Sequence, residues 1–278
     1  MIYGIKVVLG YLLGTDKAER NFAVYPDDTF VVSYPRSGNT WTRFLIANLL
    51  HPNQNVSFAN IERLIPDTSS QSNRALKATP RPRIIKTHQY FDHRYGKIIY
   101  IVRDPRDVAL SYYDFQRKYR QIEDGYPLER YVDDFVTGKL ISTDWGTWGE
   151  NVASWIFTRG KRKDFLLLRY EDMVKDTTLQ LARIGTFLGI EAEPEGLQRA
   201  IERSSADRMR ELENLESDQW VATKNHRKDI PFVRGAKSGG WRASLPESCV
   251  RQIEMTWGGL MTTLGYELVT ASVPPDVR

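Results

Sequence analysis

Cysteine is almost missing from this chain. Cys249 is the single one in 278 residues, so no disulfide within the chain and no thiolate metal cluster can form. A reducing compartment, the cytoplasm, is the expectation. Cys249 itself reads as a small packed residue near a helix start rather than a nucleophile. Long apolar runs are missing too. The most apolar stretch, MIYGIKVVLGYLL at the start, has about a dozen such residues with Lys6 inside, and a membrane span needs roughly 20. It also lacks the basic head and small-residue cleavage site of a signal peptide. A packed helix or an oligomer contact is the expected use, ahead of a membrane-surface helix. Charge of one sign is scarce: 39 basic against 35 acidic residues leave +4 and an isoelectric point near 9.0, with no run of five basic residues. An anionic small ligand fits that balance, and nucleic acid is not an expected partner. The four histidines, His51, His88, His93 and His226, show no H-x-x-x-H or H-E-x-x-H spacing, so no metal site is expected.

What is present is an ordinary globular composition, 41% hydrophobic and 27% charged, long enough for one large α/β domain. Short apolar runs alternate with helical stripes. Strands are predicted over 30–34, 83–87, 97–102 and 164–169. Helices are predicted over 39–50, 105–119, 131–136, 148–159, 179–188, 196–203 and 250–264. Asp104-Pro105 supplies an N-cap and a first-turn proline. Residues 51–80 lack a period and read as loop with one short helix near Ile61. The polar stretch 213–240 reads as loop ending in Gly239-Gly240. Neither an internal repeat nor a low-complexity linker interrupts the chain, which predicts a single domain with a mainly parallel central sheet covered by helices on both faces. Ligands of such sheets bind outside the carboxyl ends of the strands.

Three segments fall at those ends. The first, YPRSGNTW (34–41), joins a buried strand to a helix. A helix N-terminus offers unpaired N–H groups and a positive dipole end, which hold phosphate or sulfate. Gly38 permits close backbone approach, Ser37 and Thr40 add hydroxyls, and Arg36 adds a planar donor fork. The logic is that of a P-loop, but the G-x-x-x-x-G-K-[ST] letters are absent, and such a turn is equally a purely structural one. The second is Arg103 in VRDPRDVALSYY, placed for a second phosphate, with Ser111 two turns into the following helix. Its plainer reading is a surface charge network of Arg103, Asp104, Arg106 and Asp107. The third is His88 in KTHQY, which leaves a buried strand beside Lys86 and suits general-base removal of a hydroxyl or amine proton.

Taken in order, YPRSGNTW, KTH, VRDPRDVALSYYDF, LLRYEDM and FVRGAKSGGW closely resemble the cytosolic-type sulfotransferase family over roughly residues 28–265. The residues before and after, 1–27 and 266–278, then read as lead-in and tail of one domain spanning 1–278. The resemblance implies 3′-phosphoadenosine 5′-phosphosulfate (PAPS) as sulfuryl donor, its desulfated product (PAP), and a small-molecule hydroxyl or amine acceptor, without a metal. It gives Arg36, Ser37, Gly38, Asn39 and Thr40 to the 5′-phosphosulfate, with Trp41 against adenine. Arg103 and Ser111 then hold the 3′-phosphate, Tyr170 contacts adenine, Lys86 stabilises the transition state and His88 is the base. Arg36 stands where many members carry lysine. The closing Arg-Lys-Gly element aligns to Arg234, Gly235 and Ala236, so its lysine is lost, and Lys237 is the substitute at hand. The Thr-Ser-Phe-x-x-Met element appears as Ser204, Ser205, Ala206 and Met209, without the aromatic that flanks adenine. Acceptor pockets come from the variable loops, here 60–80, 116–146 and 213–233 with Trp220. The family's late dimer motif has no clear match after Trp241, so a homodimer stays open. Two rivals remain: a P-loop kinase, which needs a Walker lysine, and a non-catalytic PAP-binding module, which has no need of His88.

Overall fold

The computed structural model describes residues 17–142, 144–220, 223, 224, 226–233, 235 and 237–270. The N-terminal apolar segment, Arg234 and Ala236 lie outside them. Four strands form a parallel sheet: β1 (Thr29–Ser33), β2 (Ile84–Thr87), β3 (Lys97–Val102) and β4 (Phe165–Arg169), in the order β2-β1-β3-β4. From β1 the chain moves to one side for β2 and then to the other for β3. The strand order therefore reverses at β1, and the crevice outside its carboxyl end is the expected ligand position.

The helices follow as α1 (Asn39–Leu50), α2 (Ile61–Leu64), α3 (Asn73–Ala78), α4 (Pro105–Lys118), α5 (Leu128–Val136), α6 (Trp148–Arg159), α7 (Tyr170–Lys175), α8 (Thr177–Leu188), α9 (Pro194–Arg203), α10 (Ala206–Glu216), α11 (Trp241–Ser244) and α12 (Glu247–Thr263). Side chains of a strand alternate between faces. Phe30, Val32, Ile98 and Tyr100 face a core closed by α4, α5, α6 and α12, while Val31, Ile99 and Ile101 face one closed by α1, α8 and α9. Both faces are dry, which explains why the strands read as continuous apolar runs.

Local chemistry sets the helix starts. Asp104 accepts a hydrogen bond from the Arg106 N–H, with Pro105 at the first helical position. Thr147 and Glu150 form a reciprocal capping box at the start of α6. No helix among the described residues is long and apolar enough to cross a membrane. Two predicted loops contain more structure than their composition suggested: α3 lies within 51–80, and α10 runs into the stretch that begins at 213.

Candidate active site

The loop after β1 is shaped by two residues with left-handed backbone, Arg36 (φ 67°) and Gly38 (φ 97°). At Gly38 the need for glycine is double. Beyond the positive φ, a Cβ there would sit 2.5 Å from Cδ2 of Tyr170. Asn39 then ties the helix start back to the strand, donating from Nδ2 to the Val31 carbonyl (3.2 Å) and to Ser33 Oγ (3.1 Å). The Ser37 hydroxyl is buried beside the α1 N-terminus with no hydrogen-bond partner among the described residues. An orphaned hydroxyl at a helix N-terminus fits an anionic oxygen. Thr40 follows in the first turn, partly exposed.

Arg103, just past β3, faces the same loop. Its Nη1 donates to the Arg36 carbonyl and its Nη2 to the Lys237 carbonyl, both at 3.2 Å. The guanidinium lies 4.3 Å above the Tyr170 ring, and its buried Nε has no partner among the described residues. Tyr170 therefore touches the site three ways: under Arg103, against Gly38, and edge-on to Trp41 at 5.9 Å. The rest of the expected surface charge network proves to be buried structure. Arg106 is locked between Asp104 (2.6 Å) and Glu254 (2.5 Å) over the Trp241 ring. Asp107 accepts from the Gly239 and Trp241 N–H groups and starts α11.

Ser111 meets Arg36 rather than Arg103. Arg36 Nε donates to Ser111 Oγ and Nη2 to the Phe232 carbonyl, both at 3.2 Å. Its guanidinium lies 5.0 Å from the Phe115 ring centre and 4.6 Å from that of Phe232, in the corner where these two rings meet edge-on. A planar cation with a donor fork can face these rings and still reach Ser111 and the Phe232 carbonyl, which a lysine ammonium does less well.

Lys86 and His88 leave β2 beside this loop. The His88 Nδ1 lies 2.7 Å from the Ser33 carbonyl oxygen, which can only accept. Nδ1 therefore carries the proton, and Nε2 keeps its lone pair. Burial and the Lys86 ammonium push the His88 pKa down to about 3, so the imidazole is neutral at physiological pH. The ring is half-buried and meets Trp145 edge-on at 5.6 Å; Asn151 fixes this corner by donating to the carbonyls of both residues. Lys86 Nζ is buried and lies 2.6 Å from Asp67 Oδ2. Burial alone would raise the Asp67 pKa, but the Lys86 and Arg43 cations outweigh it and hold the carboxyl well below the usual range.

Not every expected residue converges here. The Ser204 hydroxyl is fully buried and accepts from Asn48 at 3.0 Å, two turns along α1 from Trp41. Met209 packs into the core on the α1 face. Gly235 is described without its neighbours Arg234 and Ala236. Sequence reasoning missed Asp67, and it missed Lys118 and Glu213, which hold the segment carrying Phe232. Lys118 Nζ donates to the Arg227 (2.8 Å) and Ile230 (2.6 Å) carbonyls, while Glu213 accepts from the Phe232 (2.6 Å) and Val233 (2.8 Å) N–H groups. One signal could have found Asp67: a lysine inside an apolar strand demands a carboxylate.

Comparison with known proteins agrees with this geometry. Residues 26–265 match the model of the sulfotransferase domain. The chain is 30% identical over 232 residues to 3-beta-hydroxysteroid sulfotransferase of Cavia porcellus, covering 80% of this chain and 79% of that one. It is 28% identical over 240 residues to Sulfotransferase 1C2 of Oryctolagus cuniculus, with the same coverage of 80% and 79%. Among solved structures, retinol dehydratase in complex with retinol and PAP shares the fold with a TM-score of 0.71 at 23% identity, over 95% of this chain and 88% of that one. The strand ends of this parallel sheet gather the 34–41 loop, a lysine–histidine pair and an arginine, and with a domain match over residues 26–265 the chain belongs to the sulfotransferase family.

Proposed function

We propose that this enzyme transfers the sulfuryl group of PAPS to a hydroxyl or amine of a small-molecule acceptor, with His88 as general base. One observation carries the reading: three adjacent strand ends bring the 34–41 loop, the Lys86–His88 pair and Arg103 to one crevice, joined through the Ser33 and Arg36 carbonyls. The PAP named with retinol dehydratase supports the nucleotide class. The domain is taken to span 1–278, with 266–278 as a tail.

When bound, the donor supplies a sulfuryl group on a phosphate leaving group. Ser37, Asn39, Thr40 and the N–H groups at the start of α1 hold its 5′ end. Arg103 takes the 3′-phosphate with Ser111, Arg234, Gly235 and Ala236. Trp41 and Tyr170 contact adenine, with Ser204 and Met209 behind. His88 Nε2 accepts the acceptor's proton. Lys86 and Arg36 offset charge growing on the leaving side, so positioning and electrostatics do most of the work. The same reading gives this task to arginine, lysine and backbone donors rather than to a metal, and keeps the cytoplasmic location.

The test pairs calorimetry with transfer. PAP should bind at least about a hundredfold more tightly than ADP, since two or three charged hydrogen bonds contribute roughly 1.5–3 kcal/mol each. Sulfur-labelled donor should label at least one member of a panel of phenols, sterols, amines and sugars, in excess chelator as well as without it. Equal nucleotide affinities and no labelled product overturn the reading.

A further inference from the structure

Lys86 is buried inside β2, where an isolated ammonium would be driven toward its neutral form. Its one hydrogen-bond partner among the described residues is Asp67, 2.6 Å away. The main chain sets the height of that carboxylate. The Lys86 N–H donates to the Pro66 carbonyl (2.8 Å) and the Thr68 N–H to the Lys86 carbonyl (3.0 Å), so residues 66–68 run as a parallel bridge along the edge of β2. The second carboxylate oxygen, Oδ1, accepts from the Ser69 N–H (2.8 Å) and Ser69 Oγ (2.7 Å). Both carboxylate oxygens of Asp67 are thereby engaged, which fixes the orientation of the group.

Titratable groups meet Lys86 from four directions: the charged Asp67 on the bridging segment, Arg43 on α1 and Glu62 on α2, and the neutral His88 two residues along the chain. Glu62 is engaged with Arg43 at 3.0 Å and with the Asp67 N–H at 3.1 Å. Two cations and two carboxylates balance, and loss of the Asp67 charge leaves two cations against one carboxylate. Asp67 is also the group of this set that is hydrogen-bonded to Lys86 itself.

We propose that Asp67 is a positioning residue for sulfuryl transfer: it keeps the Lys86 ammonium charged and fixed at the strand end, with one N–H committed and two left for the transferring group. This rests on the assignment of Lys86 made above. A purely structural ion pair would affect folding alone. A positioning role couples Asp67 to the rate, and only through Lys86.

The first measurement is independent of activity. In lysine-labelled protein, with the Lys86 side-chain resonance assigned by its loss in Lys86→Met, Asp67→Asn should move the Lys86 titration midpoint down by about one pH unit or more. The alkaline limb of the rate profile should fall to lower pH with it, because the active ammonium is lost earlier. At pH 8, kcat should drop by roughly ten- to a hundredfold with donor KM within about threefold. In the Lys86→Met background the same substitution should change kcat by less than about twofold. Should Asp67→Asn not fold, Ser69→Ala, which frees Asp67 Oδ1 from the serine hydroxyl, should give a smaller change of the same kind. An unmoved Lys86 midpoint overturns the proposal, as does an equal loss of kcat from Asp67→Asn with and without Lys86. A midpoint that moves while Lys86→Met keeps wild-type turnover overturns the role of Lys86, and with it the kinetic role of Asp67, but leaves the ion pair standing.

Discussion

The 34–41 loop and the 223–241 segment meet over Arg36 and are held by different kinds of bond. The loop is anchored by residues close in sequence: Asn39 to Val31 and Ser33, and Thr42 to the Gly38 carbonyl through both its N–H (3.1 Å) and its hydroxyl (3.2 Å). Beyond short-range bonds around residues 223–227, the described residues of the later segment are held by distant side chains. Lys118 takes two of its carbonyls, Glu213 two of its N–H groups, Asp107 two more, and Arg103 and Arg36 one carbonyl each. His226 stacks on Tyr119 at 3.7 Å. The loop start is shaped largely by its own chemistry, with Arg103 added at the Arg36 carbonyl. The segment is ordered by charges on α4 and α10 that would otherwise pass for surface residues, and it is the part expected to open first.

Substitutions on the loop side should therefore strike chemistry and recognition, and those on the segment side mainly donor retention. The largest effect is expected from His88→Ala: turnover falls roughly 10²–10⁴-fold while calorimetric PAP affinity stays within about twofold. Unchanged turnover removes His88 from the mechanism. Next is Arg103→Ala, which touches both regions through the Arg36 and Lys237 carbonyls. It should erase most of a preference for PAP over ADP of about a hundredfold, because ADP has no 3′-phosphate for it to hold. Equal small losses for both nucleotides would make Arg103 structural.

Gly38→Ala tests the rigidity of the loop. The new Cβ meets the Tyr170 ring and an unfavourable φ, which together should cost about 1–3 kcal/mol in denaturant unfolding and weaken PAP binding. A fully tolerated alanine would mean that the loop relaxes easily. On the other side, Glu213→Gln turns one acceptor of the Phe232–Val233 N–H pair into a donor and removes the carboxylate 3.6 Å from Lys118. Donor KM should rise by about three- to tenfold with kcat within about twofold, and the Phe232 and Val233 amides should exchange faster. A loss confined to kcat contradicts the contrast.

The smallest effect concerns acid stability. His88 is held neutral in the folded state, with its pKa lowered to about 3 against an unfolded value near 6.5. The unfolded state therefore takes up the proton first, and stability is lost as pH falls from about 6.5 toward 3. With the ring half-exposed, the loss by pH 5 should be about 1 kcal/mol. Urea melts at pH 7.5 and pH 5.0 should show a smaller drop for His88→Gln than for wild type.

Much of the fold was legible. The 39–50 and 148–159 helices and the 97–102 strand coincide with their predicted bounds, because period and capping are local properties. The placement of the 34–41 loop, His88 and Arg103 at strand ends was legible too. Helices α3, α7, α10 and α11 were missed, two of them for identifiable reasons. In α10, apolar Met209, Leu212 and Leu215 are diluted by six charged residues, and the signal was its cap, Ser205 accepting from the Arg208 N–H at 3.3 Å. The short α7 was hidden because Tyr170 follows β4 without a turn. Asp67 gave no local sign in a Pro-, Ser- and Thr-rich stretch that reads as loop.

By itself the sequence determined the alternating strands and helices, the loop with its required Gly38, and a lysine and histidine delivered to a strand end. These follow from backbone geometry and side-chain period, which act over a few residues. Only the tertiary structure decided which charges meet: Lys86 with Asp67, Arg36 with Ser111 and the Phe232 carbonyl, Lys118 and Glu213 with a segment about a hundred and about twenty residues away. An ion pair or hydrogen bond forms within about 3 Å in space regardless of distance along the chain, so its partner becomes readable only once the sheet has brought the strand ends together.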